Sequence, residues 1–360
     1  MFESIVVSCG DGGSLQAGHA GLGKLLPRAT LFGTHCPPTS ISRATLTMSE
    51  LKITLIGTGT IGLSFAAFHL AHLASSSQLT IYDTRPDASQ YVQNNLPRFF
   101  NHQDPSSLPS FSDVKIATSL QDAVKGANIV QESGPENLPF KLDLWSEVEK
   151  HAPNDALLWS STSGIPASQQ SGKMQNKSRL LVVHPYNPPH IMPLLELVPS
   201  PETSDEVIER TQEFWRAQGR VPIHIKKETT GFVANRLAFA LLREAVHLVD
   251  QGVVSVEEID SIVTNSMGPR WAVAGPFKSY HAGGGPTGLE GFFKNIGGTV
   301  QECWADAGTP NVGDGWEEKV FRQAKEVYGT VNVGERDRIT RRILQVLEEE
   351  KKDAGNARSD

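Results

Sequence analysis

A histidine and a glutamate interrupt two otherwise apolar runs, Val182-Val183-His184-Pro185 and Leu194-Leu195-Glu196-Leu197. A carboxylate within an apolar strand is costly unless it has a partner. Two neighbouring strands that set Glu196 beside His184 account for both residues. An imidazole held by an acid can take and return a proton near neutral pH. Read alone, His184 fits a satisfied strand-end histidine equally well. Two more polar segments border apolar stretches. Trp159-Ser160-Ser161-Thr162-Ser163-Gly164 ends a strand, and Thr230-Gly231-Phe232-Val233-Ala234-Asn235-Arg236 opens a long helix. Ser163 and Asn235 could each serve chemistry or only cap a helix.

These residues need a scaffold, and residues 51–62 announce it. The apolar run Ile53-Thr54-Leu55-Ile56 breaks at Gly57-Thr58-Gly59-Thr60-Ile61-Gly62, and helical composition follows. Strand, glycine turn and helix in that order make a dinucleotide cradle. Gly57 permits the tight turn, Gly59 lets backbone approach a pyrophosphate, and Gly62 lets helix and strand pack closely. A second strand, residues 79–82, ends in Asp83, 21 residues after Gly62, where an acceptor for a ribose 2′-hydroxyl belongs. Its charge would repel a 2′-phosphate, so the expected cofactor is NAD. Arg85 could offset part of that repulsion.

From residue 50 to about 226 strands alternate with helices, the pattern of a doubly wound α/β sheet. Strands are expected at 52–56, 79–82, 114–117, 127–131, 156–160, 179–184, 194–198 and 221–225. After Gly231 the pattern turns helical, with one long helix from Phe232 to Val249 and further helices at 255–265, 288–306, 315–326 and 334–352. The expected organisation is a leader or upstream start over 1–48, a Rossmann-type domain over 49–227, a smaller all-α domain over 228–350, and a flexible tail over 351–360. The leader is too acidic and too poor in Arg for a good transit peptide, so a mitochondrial address ranks second to a cytoplasmic one.

Composition narrows the class. A net charge of −7 shows no nucleic-acid footprint, and no stretch is apolar enough to span a membrane. The three cysteines (Cys9, Cys36, Cys303) lie far apart, which fits a reducing compartment and offers no metal cluster.

Taken together, GTGTIG, Glu136-Asn137-Leu138, STSG, HPYNPP with LLELV, GFVANR and MGPRWAVAGP occur in one order. The chain resembles the L-3-hydroxyacyl-CoA dehydrogenase superfamily, and within it the lambda-crystallin / L-gulonate 3-dehydrogenase branch. The resemblance implies that His184 is the general acid/base and that Glu196 orients it. It implies that Ser163 positions the substrate oxygen and that Asn235 helps hold the developing carbonyl or alkoxide. It implies that Gly57, Gly59, Thr60, Ile61, Gly62 and Asp83 bind the cofactor. Asn187, Glu136 and Lys141 match positions lining the nicotinamide and its ribose. It also implies a homodimer formed through the helical domain, with Phe292, Phe293 and Ile296 as candidate contacts.

Acyl-CoA enzymes of this superfamily carry a lysine-bearing helical insertion after the second strand. Here the segment from Arg85 to Val114 has only Arg85 and Arg98 as cations and contains four prolines. The expected substrate is therefore a small hydroxy acid, L-gulonate-like, oxidised at its 3-hydroxyl. Arg270 is the candidate clamp for its carboxylate, including across a dimer interface. The alternatives are a short-chain L-3-hydroxyacyl-CoA, an unusual hydroxy compound in catabolism or detoxification, and a binding or structural role without turnover.

Overall fold

The computed structural model describes residues 49–100 and 113–356, built around an eight-stranded sheet in the order β3-β2-β1-β4-β5-β6-β7-β8. The strands are β1 (Ile53–Ile56), β2 (Leu79–Tyr82), β3 (Lys115–Ala117), β4 (Ile129–Glu132), β5 (Leu157–Ser160), β6 (Leu180–Pro185), β7 (Leu194–Pro199) and β8 (Val221–His224). All eight fall within one or two residues of the expected runs. The leader and the segment 101–112 lie outside the described residues.

Between and after the strands come α1 (Thr60–Leu70), α2 (Ala88–Asn95), α3 (Leu120–Val124), α4 (Leu138–His151), α5 (Ala167–Gln170) and α6 (Asp205–Ala217). Then follow α7 (Ala234–Asp250), α8 (Val256–Asn265), α9 (Met267–Val273), α10 (Pro276–Gly283), α11 (Gly288–Asp306), α12 (Trp316–Tyr328) and α13 (Val333–Asn356). The final helix continues through Asn356, past the point where a fraying tail was expected. Helix α2 occupies part of the proline-bearing segment, because Pro97 falls after its end, in a following 3-10 turn.

The sheet is mostly parallel, with one change of direction. Strands β6 and β7 pair antiparallel, and the register sets His184 directly opposite Glu196. The connection from Tyr186 to Pro193 is too short for the crossover that a parallel pair requires. Strand β1 pairs in parallel with β2 on one side and β4 on the other, so the strand order reverses there. This is the switch point outside which ligands gather in open α/β sheets.

Both faces of the sheet are covered, so its central strands read as continuous apolar runs. One side buries Phe65, Trp159, Leu181, Val183 and Trp215; the other buries Val130, Trp145, Leu158 and Val182. The buried indole nitrogen of Trp159 donates to Thr211 Oγ1 (2.9 Å), which satisfies a polar group inside this core.

Candidate active site

The glycine turn does what its residue types require. Gly57 holds φ +100°, and a Cβ there would come within 2.7 Å of the Ser133 carbonyl oxygen. A Cβ on Gly62 would lie 2.0 Å from the Gly57 carbonyl oxygen, so helix α1 can approach the turn only because this position lacks a side chain. At Gly59 nothing lies within 4 Å, leaving the open approach that a phosphate needs. Helix α1 begins at Thr60 with no side chain capping its first turn, so its N-terminal N–H groups and dipole are available to an anion.

Asp83 follows β2 and faces the same turn. Its Oδ2 accepts from the Thr58 N–H (2.7 Å) and hydroxyl (2.6 Å), while Oδ1 accepts from the Arg85 N–H (3.0 Å). The Arg85 guanidinium is engaged elsewhere, on Asp87 (2.8 Å) and 3.4 Å above the Tyr91 ring. Gly57, Gly59, Asp83 and the acids Asp143 and Glu147 line a cavity of about 800 Å³.

A second cavity, of about 490 Å³, adjoins the first and shares Ser133 and Gly134 with it. Its lining includes Ile61, Glu136, Ser163, His184, Tyr186, Asn187, Asn235 and Phe239. Segments distant in sequence thus converge on one cleft. The Ser133 hydroxyl, at the junction, is buried without a hydrogen-bond partner among the described residues. An orphaned buried polar atom between two confluent cavities is what a dinucleotide passing through them would satisfy.

His184 and Glu196 form the centre of the second cavity. His184 Nδ1 lies 2.8 Å from Glu196 Oε2, and both residues are buried. The carboxylate fixes the tautomer that carries a proton on Nδ1, which leaves Nε2 for a substrate. The other carboxylate oxygen, Oε1, accepts from the backbone N–H groups of Val233 (2.8 Å) and Ala234 (3.0 Å), at the start of α7. Burial pushes the Glu196 carboxyl up, but these hydrogen bonds outweigh it and hold the group below the usual carboxylate range.

Phe232 completes this bracket, and sequence reasoning assigned it only to a helix face. It is fully buried, holds φ 51°, and sets its ring 5.2 Å from the His184 imidazole. Gly231 beside it also has positive φ, at 71°. Two consecutive left-handed residues turn the chain so that α7 aims its first amides at Glu196. A bulky residue at positive φ is strained and persists only where packing demands it.

The Thr162-Ser163-Gly164 loop is gathered by one carboxylate oxygen. Glu136 Oε1 accepts from Thr162 Oγ1 (2.5 Å), the Ser163 N–H (3.0 Å), the Gly164 N–H (2.9 Å) and, at 3.4 Å, the Ser163 hydroxyl. Asn235, on the first turn of α7, makes no capping bond and faces the cleft. Lys141 behaves differently from its expected role. Its ammonium is buried on Glu132, at 2.7 and 2.8 Å, and does not line either cavity. Arg270 is exposed on α9 and lines neither cavity within this chain. Among the described residues no cluster of His, Cys, Asp and Glu could hold a metal, and no helix is long and apolar enough to cross a membrane.

Comparison with known proteins agrees with this geometry. Residues 52–229 match the family model for the NAD binding domain of 3-hydroxyacyl-CoA dehydrogenase, and residues 231–307 match the model for its C-terminal domain. An L-carnitine dehydrogenase of Pseudomonas putida is 33% identical over 306 residues, covering 84% of this chain and 94% of that protein. One from Oceanobacillus iheyensis is 32% identical over 274 residues, covering 75% of this chain and 88% of that protein. Among solved structures, 5-formyl-3-hydroxy-2-methylpyridine 4-carboxylic acid 5-dehydrogenase, an NAD+-dependent dismutase, superposes with a TM-score of 0.69 at 29% identity. That match covers 82% of this chain and 98% of the other.

Proposed function

Because the chain belongs to the 3-hydroxyacyl-CoA dehydrogenase family, we propose that it oxidises the 3-hydroxyl of a small hydroxy acid to a ketone with NAD. The observation that carries this reading is the His184–Glu196 pair, 2.8 Å apart, on a cleft continuous with the glycine turn. Bound NAD supplies the hydride acceptor. The rest falls to the chain's own residues. His184 Nε2 takes the hydroxyl proton, and Glu196 stabilises the resulting imidazolium through Nδ1. Ser163 and Asn235 donate to the substrate oxygen as charge builds on it. Gly57, Gly59, Thr60, Ile61 and Gly62 hold the pyrophosphate, Asp83 the adenosine ribose, and Asn187 and Glu136 the nicotinamide side.

Among 3-hydroxy acids, the names of the relatives favour a carnitine-like substrate over the gulonate-like one expected from sequence. The lining of the smaller cavity supports that choice. It contains no Lys or Arg among the described residues, but it does contain Glu136 and the rings of Tyr186 and Phe239. Aromatic faces in a cavity lined by no cation suit a quaternary ammonium. The substrate carboxylate then needs a cation from elsewhere, and Arg270 of a second copy is our candidate. A homodimer through the helical region is part of the proposal, as is a cytoplasmic location.

Initial rates with NAD on L-carnitine, L-gulonate and 3-hydroxybutyryl-CoA test the reading. Preference for L-carnitine is the expected result. Preference for the CoA ester would restore the fatty-acyl alternative, and NADH binding without turnover on any hydroxy acid would indicate a binding protein.

A further inference from the structure

The buried ion pair behind the cleft has no place in the proton transfer, yet it contacts the end of β5, the loop beyond β4 and the Glu136 carboxylate. Glu132 ends β4 and is fully buried, as is Lys141 of α4. Besides the ammonium, Glu132 accepts from the Ser160 hydroxyl (2.7 Å), at the end of β5, and from the Gly134 N–H (2.7 Å), on the loop beyond β4. Gly134 must lack a side chain for this fold of the loop, because a Cβ there would lie 2.7 Å from the Phe140 ring and 3.2 Å from Glu132 Oε1. The Lys141 ammonium also lies 3.8 Å from Glu136 Oε2. Glu136 thus divides its oxygens: Oε2 faces Lys141, and Oε1 gathers Thr162, Ser163 and Gly164.

A buried ion pair seldom stabilises a fold more than apolar residues of the same volume would. Its distinctive property is direction: an ammonium trapped on one carboxylate attracts a second carboxylate to a definite place. We infer that Glu132 and Lys141 are positioning residues: held by Ser160 and Gly134, the pair orients Glu136 and through it sets Ser163 against the substrate oxygen. Neither residue touches substrate. Lys141 acts from behind Glu136, and Glu132 acts from behind Lys141. The inference rests on the dehydrogenase reading for its kinetic consequence only, since the placement of the 162–164 loop can be measured without turnover.

Two variants of the full-length protein test it. Glu132→Gln keeps the side-chain size and removes the charge that traps Lys141. It should lower kcat by about 10- to 100-fold, as a displaced positioning group does. Amide hydrogen exchange at Ser163 and Gly164 should become faster while β4 and β5 stay protected. The double variant Glu132→Leu/Lys141→Met replaces the pair by apolar groups and should recover Tm without recovering kcat. Should Glu132→Gln fail to fold, the double variant carries the test alone. Wild-type kcat in a folded variant, or unchanged exchange at Ser163 and Gly164, would overturn the inference. Absence of turnover in the wild-type protein would instead remove the dehydrogenase reading, and exchange would then decide the positioning role by itself.

Discussion

The α/β half and the helical half of this molecule are finished to different degrees. In the first, Trp145, Trp159, Trp215 and Phe65 are all but inaccessible, and two apolar layers close over the sheet. In the second, helices α8, α9, α10 and α12 bury no residue at all. Phe277 is 77% exposed, Trp304 65%, and Phe239 60%, beside Phe293 and Ile296. Large apolar faces of this extent on helices mark surfaces that something else covers. The proposed second copy is the economical occupant, since a two-fold pairing buries the same patch twice. On this reading the His184–Glu196 pair resides in the half that folds around its own core, and the substrate's carboxylate clamp in the half that two chains complete together.

The comparison can be broken at several points, in order of expected effect. His184→Ala should lower kcat by about a thousandfold, the loss of a general base, with NADH binding retained. Steady-state rates and NADH fluorescence check this, and retained turnover would remove His184 from the reaction. Trp159→Ala should cost about 3–5 kcal/mol of stability, because it opens a cavity in a closed core and strands Thr211. Thermal unfolding measures that loss. The double variant Phe293→Glu/Ile296→Glu should leave the fold intact and shift the protein from dimer to monomer, with a raised KM for a carboxylate substrate. Light scattering that shows a monomer in the wild type would sink the pairing. Asp83→Asn should narrow the preference for NAD over NADP by roughly tenfold, the worth of one nearby charge. An unchanged ratio would place Asp83 outside the ribose site.

A separate effect concerns pH. His69 lies in the closed core, bonded to Gln131 (2.8 Å), and burial pushes its imidazole down to about 4. The unfolded chain takes up that proton at about pH 6.5. Stability should therefore fall as pH drops from about 6.5 to about 4, because only the unfolded state gains the proton there. The Glu196 carboxyl, held below its usual range, adds stability above the ordinary carboxylate value that is lost as pH falls through its folded-state value. A Tm that stays flat from pH 7 to pH 4 would contradict the His69 assignment.

Much of the architecture was legible because periodicity and turn residues report local structure directly. The glycine turn, the strands and the long helix after Gly231 are of this kind. The pairing of His184 with Glu196 was legible because one acid among apolar neighbours demands a partner. Lys141 was not legible: it occupies a helix position suited to either a cleft-facing cation or a buried one, and only Glu132, nine residues earlier, decides between them. Helices α9 and α10 lie between the helices expected at 255–265 and 288–306, where none is expected; Pro276 opens α10 at its first turn. Phe232 was placed with the helix because its apolar character fits that face, and nothing in the local pattern shows a positive φ.

By itself the sequence determined the order of elements, the cradle for the dinucleotide and the pairing of His184 with Glu196. Those follow from local preferences and from the cost of leaving a charge unpaired. Which oxygen of Glu196 meets the imidazole and which meets the start of α7, and how Glu136 comes to gather the Ser163 loop, was decided only when distant segments packed together. Side-chain direction depends on neighbours from the whole chain, and no run of adjacent residues contains that information.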